Sequence, residues 1–265
     1  MNPVVVATFY LFATIDNPET LRTVLHKVCA EQSVVGTILL AHEGINGTIC
    51  GSSHAVHHVL SWLRSDARFK ALTAKYSVSG SLAFKRLKVK VKPEIVKLGL
   101  SEIDAANMAG ERVNALRWNQ LLADPDVLVI DTRNDFEVAI GSFPGAVNPA
   151  TRNFRDLPQW VEQNPDLLNK PKIAMFCTGG IRCEKSTALL KEKGFEQVYH
   201  LDGGILKYFE TITENENRWQ GECFVFDERV SVDANLNPGT YNQCKGCGVP
   251  VTKPANHCDA CTGIS

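Results

Sequence analysis

Apolar positions along the chain switch between two periods, and the switches mark its elements. VVVATFYLFA, residues 4–13, is rich in β-branched and aromatic side chains and predicts a buried strand. Asp16 and Asn17 ahead of Pro18 and Glu19 mark a helix start, and Leu21, Val24, Leu25 and Val28 follow at helical spacing. VVGTILLAHEGINGTICG predicts two strands joined around Gly44 to Gly47, and His54 to Leu63 a second amphipathic helix. Further strands are expected at about Lys75–Val78 and Leu82–Val91. The order β-α-β-β-α-β predicts a small ferredoxin-like α+β domain over residues 1–95.

After a polar linker at 96–109 the pattern changes. NALRWNQLL predicts a helix, Val127 to Asp131 a buried strand, and Pro144-Gly145 a turn. KIAMF is a short apolar strand that runs into Cys177; a helix, a stop at Gly194, another strand and a Gly-Gly turn follow. Short apolar strands alternating with helices over 110–214 predict a parallel α/β sheet. Chemistry in such sheets gathers at the carboxyl ends of strands, which is where Cys177 falls. Residues 215–265 form a C-terminal extension with one apolar patch, CFVFD, and a cysteine-rich tail.

The chain has 265 residues, 44% of them hydrophobic, enough for two cores. Its 28 basic and 29 acidic residues nearly cancel, so any nucleic-acid surface has to be local. One candidate is FKRLKVKVK, where strict alternation puts Lys88, Lys90 and Lys92 on one face of a strand. That face is either solvated edge protection or a phosphate-tracking surface. The first residues lack the basic start and cleavage site of a signal peptide, and no run approaches the ~20 apolar residues of a membrane span. These features predict a cytoplasmic protein with no membrane partner. The nine cysteines then read as metal ligands, catalytic thiols or buried small residues.

CTGGIRCEKS, residues 177–186, places Cys177 at a strand-to-helix turn, before a helix N-terminus and near Arg182. All three features favour a thiolate. Gly179 and Gly180 can aim successive backbone N–H groups inward as an anion-binding nest. Cys183 is either a resolving thiol for Cys177 or a packed side chain. In the tail, Cys244-Lys-Gly-Cys247 and Cys258-Asp-Ala-Cys261 offer four thiolates for structural zinc, with a redox role for the pairs as the alternative. His200-Leu-Asp202 matches the start of an iron-binding triad, but no second histidine is placed to complete it, and the match reads as coincidence. No glycine fingerprint for a flavin or nicotinamide is present in the sequence.

IDTRNDFEVAIGSFPGAVNPA followed by CTGGIRCEKSTALLKEKGFEQVYHLDGGI resembles a rhodanese domain from about Gly110 to Phe209, with its aspartate-x-arginine signature at Asp131 and Arg133. The resemblance implies a catalytic Cys177 in a loop closed by Arg182, with Arg133 on the substrate side. Four residues separate Cys177 from Arg182, one fewer than in the related tyrosine-phosphatase loop, and the tighter ring suits sulfur better than phosphate. With AHEGINGT near the N-terminus, WQGECFVFDERV after the rhodanese part and the cysteine-rich tail, nearly the whole chain resembles the tRNA uridine hydroxylase family. That resemblance implies a ferredoxin-like domain, a rhodanese-like α/β domain and a cysteine tail. It also implies oxygen-dependent formation of 5-hydroxyuridine at wobble position 34 of the tRNA anticodon loop. The rhodanese part alone implies a sulfurtransferase with a Cys177 persulfide, and a vestigial RNA-binding module is a third reading that the intact cysteine, glycines and arginine oppose.

Overall fold

The computed structural model describes residues 4–80, 82–166 and 169–262. The chain divides into two compact units, with the break between Glu102 and Ile103.

In the first unit, β1 (Val4–Phe12) turns Ala7 and Phe9 into the core and Thr8 outward, as a half-buried strand requires. Helix α1 (Pro18–Glu31) begins where the Asn17 side chain accepts the Thr20 N–H at 3.0 Å, and it buries Leu21, Leu25 and Cys29. Strands β2 (Val35–Ala41) and β3 (Gly44–Ser52) make a hairpin, α2 (Ser53–Ser65) buries Val56, Val59, Leu60 and Leu63, and β4 (Ala74–Ser79) and β5 (Leu87–Val91) complete the sheet. The strand order is β4-β1-β3-β2-β5. Its first four members are antiparallel neighbours in the ferredoxin-like order; β5 adds to β2 in parallel.

The expected strand at Leu82–Val91 is shorter. Pairing starts at Gly36 opposite Leu87, with the Gly36 N–H on the Arg86 carbonyl at 3.2 Å; one residue before β2 begins at Val35, the Val34 N–H is already turned to the Cys29 carbonyl at 2.9 Å. The AHEGINGT stretch is a set of clips. Gly44 has φ of 148°, and a Cβ there would sit 2.1 Å from the Leu11 carbonyl oxygen, so only glycine permits β1 and β3 to close. Glu43 accepts the Ile95 N–H at 2.6 Å, the Asn46 amide donates to the Ile95 carbonyl at 3.0 Å, and His42 Nδ1 donates to the Ile15 carbonyl at 2.9 Å.

The second unit opens with α3 (Ala105–Met108), β6 (Glu111–Val113), α4 (Ala115–Ala123), β7 (Val127–Asp131), α5 (Asp135–Val138), β8 (Gly141–Ser142) and α6 (Leu157–Gln163). It continues with β9 (Lys172–Phe176), α7 (Ile181–Glu192), β10 (Gln197–Leu201) and α8 (Gly204–Thr211). β6, β10, β9 and β7 lie side by side in that order, all parallel. Around Phe143, the rings of Phe176, Tyr208 and Trp219 stand edge-on at 5.0, 5.0 and 5.1 Å. Such contacts fix ring positions as well as burying area.

Helix α7 is charged in sequence yet buried from Arg182 to Leu190, so its polar side chains lie inside the domain. Residues beyond 214 do not stand apart. Trp219, Cys223, Val225 and Val232 join the same core, because these apolar side chains find their cover on the α/β domain. The short strand β11 (Gln220–Gly221) pairs with β8, β12 (Cys223–Phe224) with β13 (Ser231–Val232), and β14 (Tyr241–Gln243) with β15 (Pro250–Thr252). No helix of the described residues is long and apolar enough to cross a membrane.

Candidate active site

The central strand β9 ends at Phe176 and delivers Cys177 to the carboxyl edge of the sheet. The chain must then reverse into α7, and Gly180 does this with φ of 98°, a left-handed conformation that costs glycine little. The reversal aims the Gly180 N–H at Cys177 Sγ, 3.1 Å away. From the other side α8 closes on the loop: the Ile205 N–H donates to the Cys177 carbonyl at 3.0 Å and the Leu206 N–H to that of Thr178 at 3.1 Å. Gly204 allows this approach, since a Cβ there would lie 2.4 Å from the Cys177 carbonyl oxygen. Gly179 sits at the open side of the loop, with nothing within 4 Å of where a Cβ would be.

Cys177 and Cys183 are both fully buried. Burial pushes the Cys177 thiol up, but the hydrogen bond from Cys183, the charge of Arg182 and the N–H groups of Cys183 and Gly180 outweigh it and bring it down to about 6. Cys183 is held well above the ordinary thiol range by burial and by its neighbour Cys177. The two shifts run in opposite directions, so the site favours a thiolate at Cys177 over one at Cys183. Thr132 fixes the far side, donating from its hydroxyl to the Phe176 carbonyl at 3.0 Å with Cys183 Sγ at 3.6 Å.

Arg182 is nearly buried and faces Glu137. Its two terminal nitrogens donate to the two carboxylate oxygens at 2.7 and 2.8 Å, a bidentate pair. Glu137 is wholly buried and also caps α5 by accepting the Asn134 N–H at 3.0 Å. Its carboxyl is held below the ordinary range because the Arg182 and Arg133 charges outweigh the opposing effect of burial. Arg182, expected to close the loop, acts on the sulfur through its charge, while its terminal nitrogens bond Glu137 and one of them also lies 3.5 Å from the Thr178 hydroxyl.

Arg133, expected on the substrate side, has no exposed surface. It donates to Asp131 at 2.9 and 2.6 Å, to the Gly141 carbonyl at 2.6 Å and to the Glu137 carbonyl at 3.2 Å, and its guanidinium lies 5.0 Å from the Trp219 ring. Every arm is engaged inside the domain, so it braces the sheet end and the α5 segment. Asp202 pairs with Lys207, and burial pushes His200 down to about 4. Lys90 and Lys92 are exposed and Lys88 half-buried at β5, in the first unit.

The tail brings Cys244, Cys247, Cys258 and Cys261 together, their sulfurs all within 4.8 Å of one another. Zinc–thiolate bonds of about 2.3 Å give tetrahedral edges of roughly 3.8 Å, so the four thiols fit that ion. The Cys258 N–H donates to Cys244 Sγ at 3.3 Å, and Gly246 leaves room for Cys261, whose sulfur a Cβ would meet at 2.9 Å. Backbone N–H groups of Cys247 and Cys258 lead in pulling the Cys244 thiol down to about 5, as suits a metal ligand.

Glu137, Thr178 and Gly204 were not among the residues singled out by sequence. The Asn134-x-x-Glu137 capping box was the one visible signal, and it says only that Glu137 caps a helix.

Residues 4–95 match the model of the UPF0176 acylphosphatase like domain, and residues 115–211 that of the rhodanese-like domain. A tRNA uridine(34) hydroxylase of Acaryochloris marina is 50% identical, covering 99% of this chain and 88% of its own. One of Agrobacterium fabrum is 54% identical over 93% of this chain and 79% of its own. Among solved structures, a rhodanese-like domain from Anabaena is 18% identical over 42% of this chain and 78% of its own, with a TM-score of 0.33.

Alkylation of Cys177 by iodoacetamide, followed by mass spectrometry of its peptide across pH, is expected to rise with a midpoint near 6. Cys183→Ala removes a donor to the thiolate, so its midpoint should move upward; an unchanged midpoint would mean that Cys183 does not set the charge state.

Proposed function

The chain belongs to the tRNA uridine(34) hydroxylase family, and on that premise we propose that it converts uridine 34 in the anticodon loop of tRNA to 5-hydroxyuridine, with molecular oxygen as co-substrate. The observation that carries the reading is the Cys177 thiolate, cradled by the Gly180 N–H and the Cys183 thiol in a family member of nearly full-length similarity. Such a tRNA substrate places the work in the cytoplasm.

Cys177 adds to C6 of uracil, and C5 becomes an enolate carbon able to take up oxygen. The N–H groups of the loop and the field of Arg182 stabilise negative charge at the sulfur when it leaves again. Oxygen adds at C5 as a hydroperoxide; the Cys183 sulfur takes its outer oxygen, breaking the O–O bond and leaving a hydroxyl on C5, and loss of the C5 proton with departure of Cys177 from C6 restores the uracil ring. The freed Cys177 then displaces water from the Cys183 sulfenic acid. Closure of Cys177 and Cys183 to a disulfide releases two electrons, and an external thiol resets the pair. Anticodon-loop bases can be splayed out of their stack, and the open side at Gly179 is the route by which uracil reaches the covered sulfur. Lys88, Lys90 and Lys92 give the first unit a basic face for tRNA phosphates. Zinc on Cys244, Cys247, Cys258 and Cys261 would hold the tail together, since four protein ligands leave it no open position.

A second reading, sulfur transfer, is favoured by the same cradle, because inward N–H groups stabilise a persulfide on Cys177 as well as a thiolate.

Purified protein incubated with unmodified tRNA and a thiol should produce 5-hydroxyuridine at position 34 only when oxygen is present, read by nucleoside mass spectrometry. Cys177→Ser should lose at least about a thousandfold in rate; a thiolated base, or full activity of the serine variant, would end the proposal. Elemental analysis of the same protein should give one zinc per chain, and substoichiometric metal with an intact tail would remove zinc from the account.

A further inference from the structure

Phe226 stands beyond β12 and is 69% exposed, the most exposed aromatic residue among the described residues. Two residues earlier Phe224 is buried, edge-on to Phe136 at 5.2 Å, so the segment has a place in the core for one ring and holds the other out. The exposed ring sits at the rim of the reactive loop. Arg182 Cζ lies over it, 6.0 Å from its centroid, and Phe224 meets it at 5.0 Å and 81°. The Phe224 carbonyl is 3.4 Å from the hydroxyl of Thr178, the residue after Cys177.

The turn that presents Phe226 is closely built. The Val225 N–H donates to the Val230 carbonyl at 2.9 Å and the Val230 N–H to that of Asp227 at 3.0 Å. Arg229 donates to the Asp227 carboxylate at 2.9 and 2.6 Å. Val230 takes φ of 64°, a conformation that a β-branched residue adopts only when its surroundings impose it. The turn thus holds the outward ring in a defined place beside the active loop.

Resting on the proposed tRNA substrate, we propose that Phe226 is a stacking platform for the nucleobase next to uridine 34. Unstacked loop bases dock on aromatic side chains, and every base offers a π-face. The guanidinium of Arg182 lies over the ring, and Arg182 belongs to the loop that holds Cys177, so a base on Phe226 is a neighbour of the one that reaches the sulfur. Stacking there holds the strand while the adjacent uracil turns inward.

Steady-state hydroxylation of an anticodon stem-loop by the full chain tests this. Loss of one base–aromatic stack corresponds to about 5- to 150-fold in affinity. Phe226→Ala should therefore raise KM at least about fivefold with kcat nearly unchanged. Phe226→Trp should restore KM, and Phe226→Leu, which keeps bulk but has no π-face, should behave like alanine. The pH profile of Cys177 alkylation should stay the same in all three variants. Wild-type KM in Phe226→Ala, wild-type KM in Phe226→Leu, or a shifted alkylation profile would overturn the assignment while leaving the function standing. A wild-type protein that fails to hydroxylate tRNA would overturn both.

Discussion

Glu137 grips Arg182 with both carboxylate oxygens, 45 residues away in sequence, and the shape of the reactive loop depends on that grip. Both groups are out of water, and each is tolerable there only because the other neutralises it. Breaking a buried pair by removing one partner costs about 3–5 kcal/mol, because an uncompensated charge is left behind. The second pair, Asp131 with Arg133, borders the first, and the Arg133 guanidinium reaches the carbonyl of Glu137 itself. The end of β7, the cap of α5 and the start of α7 are therefore tied into one charged cluster. With Arg182 held by Glu137, its positive field falls on Cys177, and the sulfur takes its direct hydrogen bonds from Gly180 and Cys183.

The same arrangement explains how a wholly buried thiol can be ionised. Burial alone would hold Cys177 protonated, as it does Cys29 and Cys223, each pushed up to about 12. Cys177 differs in sitting where a glycine reversal turns an N–H inward and where a second thiol keeps the proton. Dry surroundings then strengthen each of these favourable interactions.

Much of this was legible in the sequence, for definite reasons. Alternation in β1 and the 3.6-residue spacing in α1 and α2 are local signals, and the glycine pair between an apolar strand and a helix marks the Cys177 turn. The two C-x-x-C pairs announced a four-thiol cluster because sulfur ligands have few alternatives at that spacing. Other features depend on distant partners. Glu137 reads as an ordinary acidic residue in a short helix, and nothing nearby says that it meets Arg182. Arg133 reads as available for substrate, yet its donors go to Asp131 and to carbonyls that other elements contribute. Helix α7 lacks an apolar stripe because it is surrounded on all sides, and β11, β12 and β13 are two residues long, too short for any period to register.

The central claim is that the Cys177 sulfur itself attacks the base at position 34. Incubating the protein with tRNA that carries 5-fluorouridine at that position, then mapping cross-linked peptides by mass spectrometry, tests it most directly. A covalent RNA adduct on Cys177, absent from Cys177→Ser, is the predicted result. Hydroxylation of normal tRNA by a preparation that never forms the adduct would contradict it.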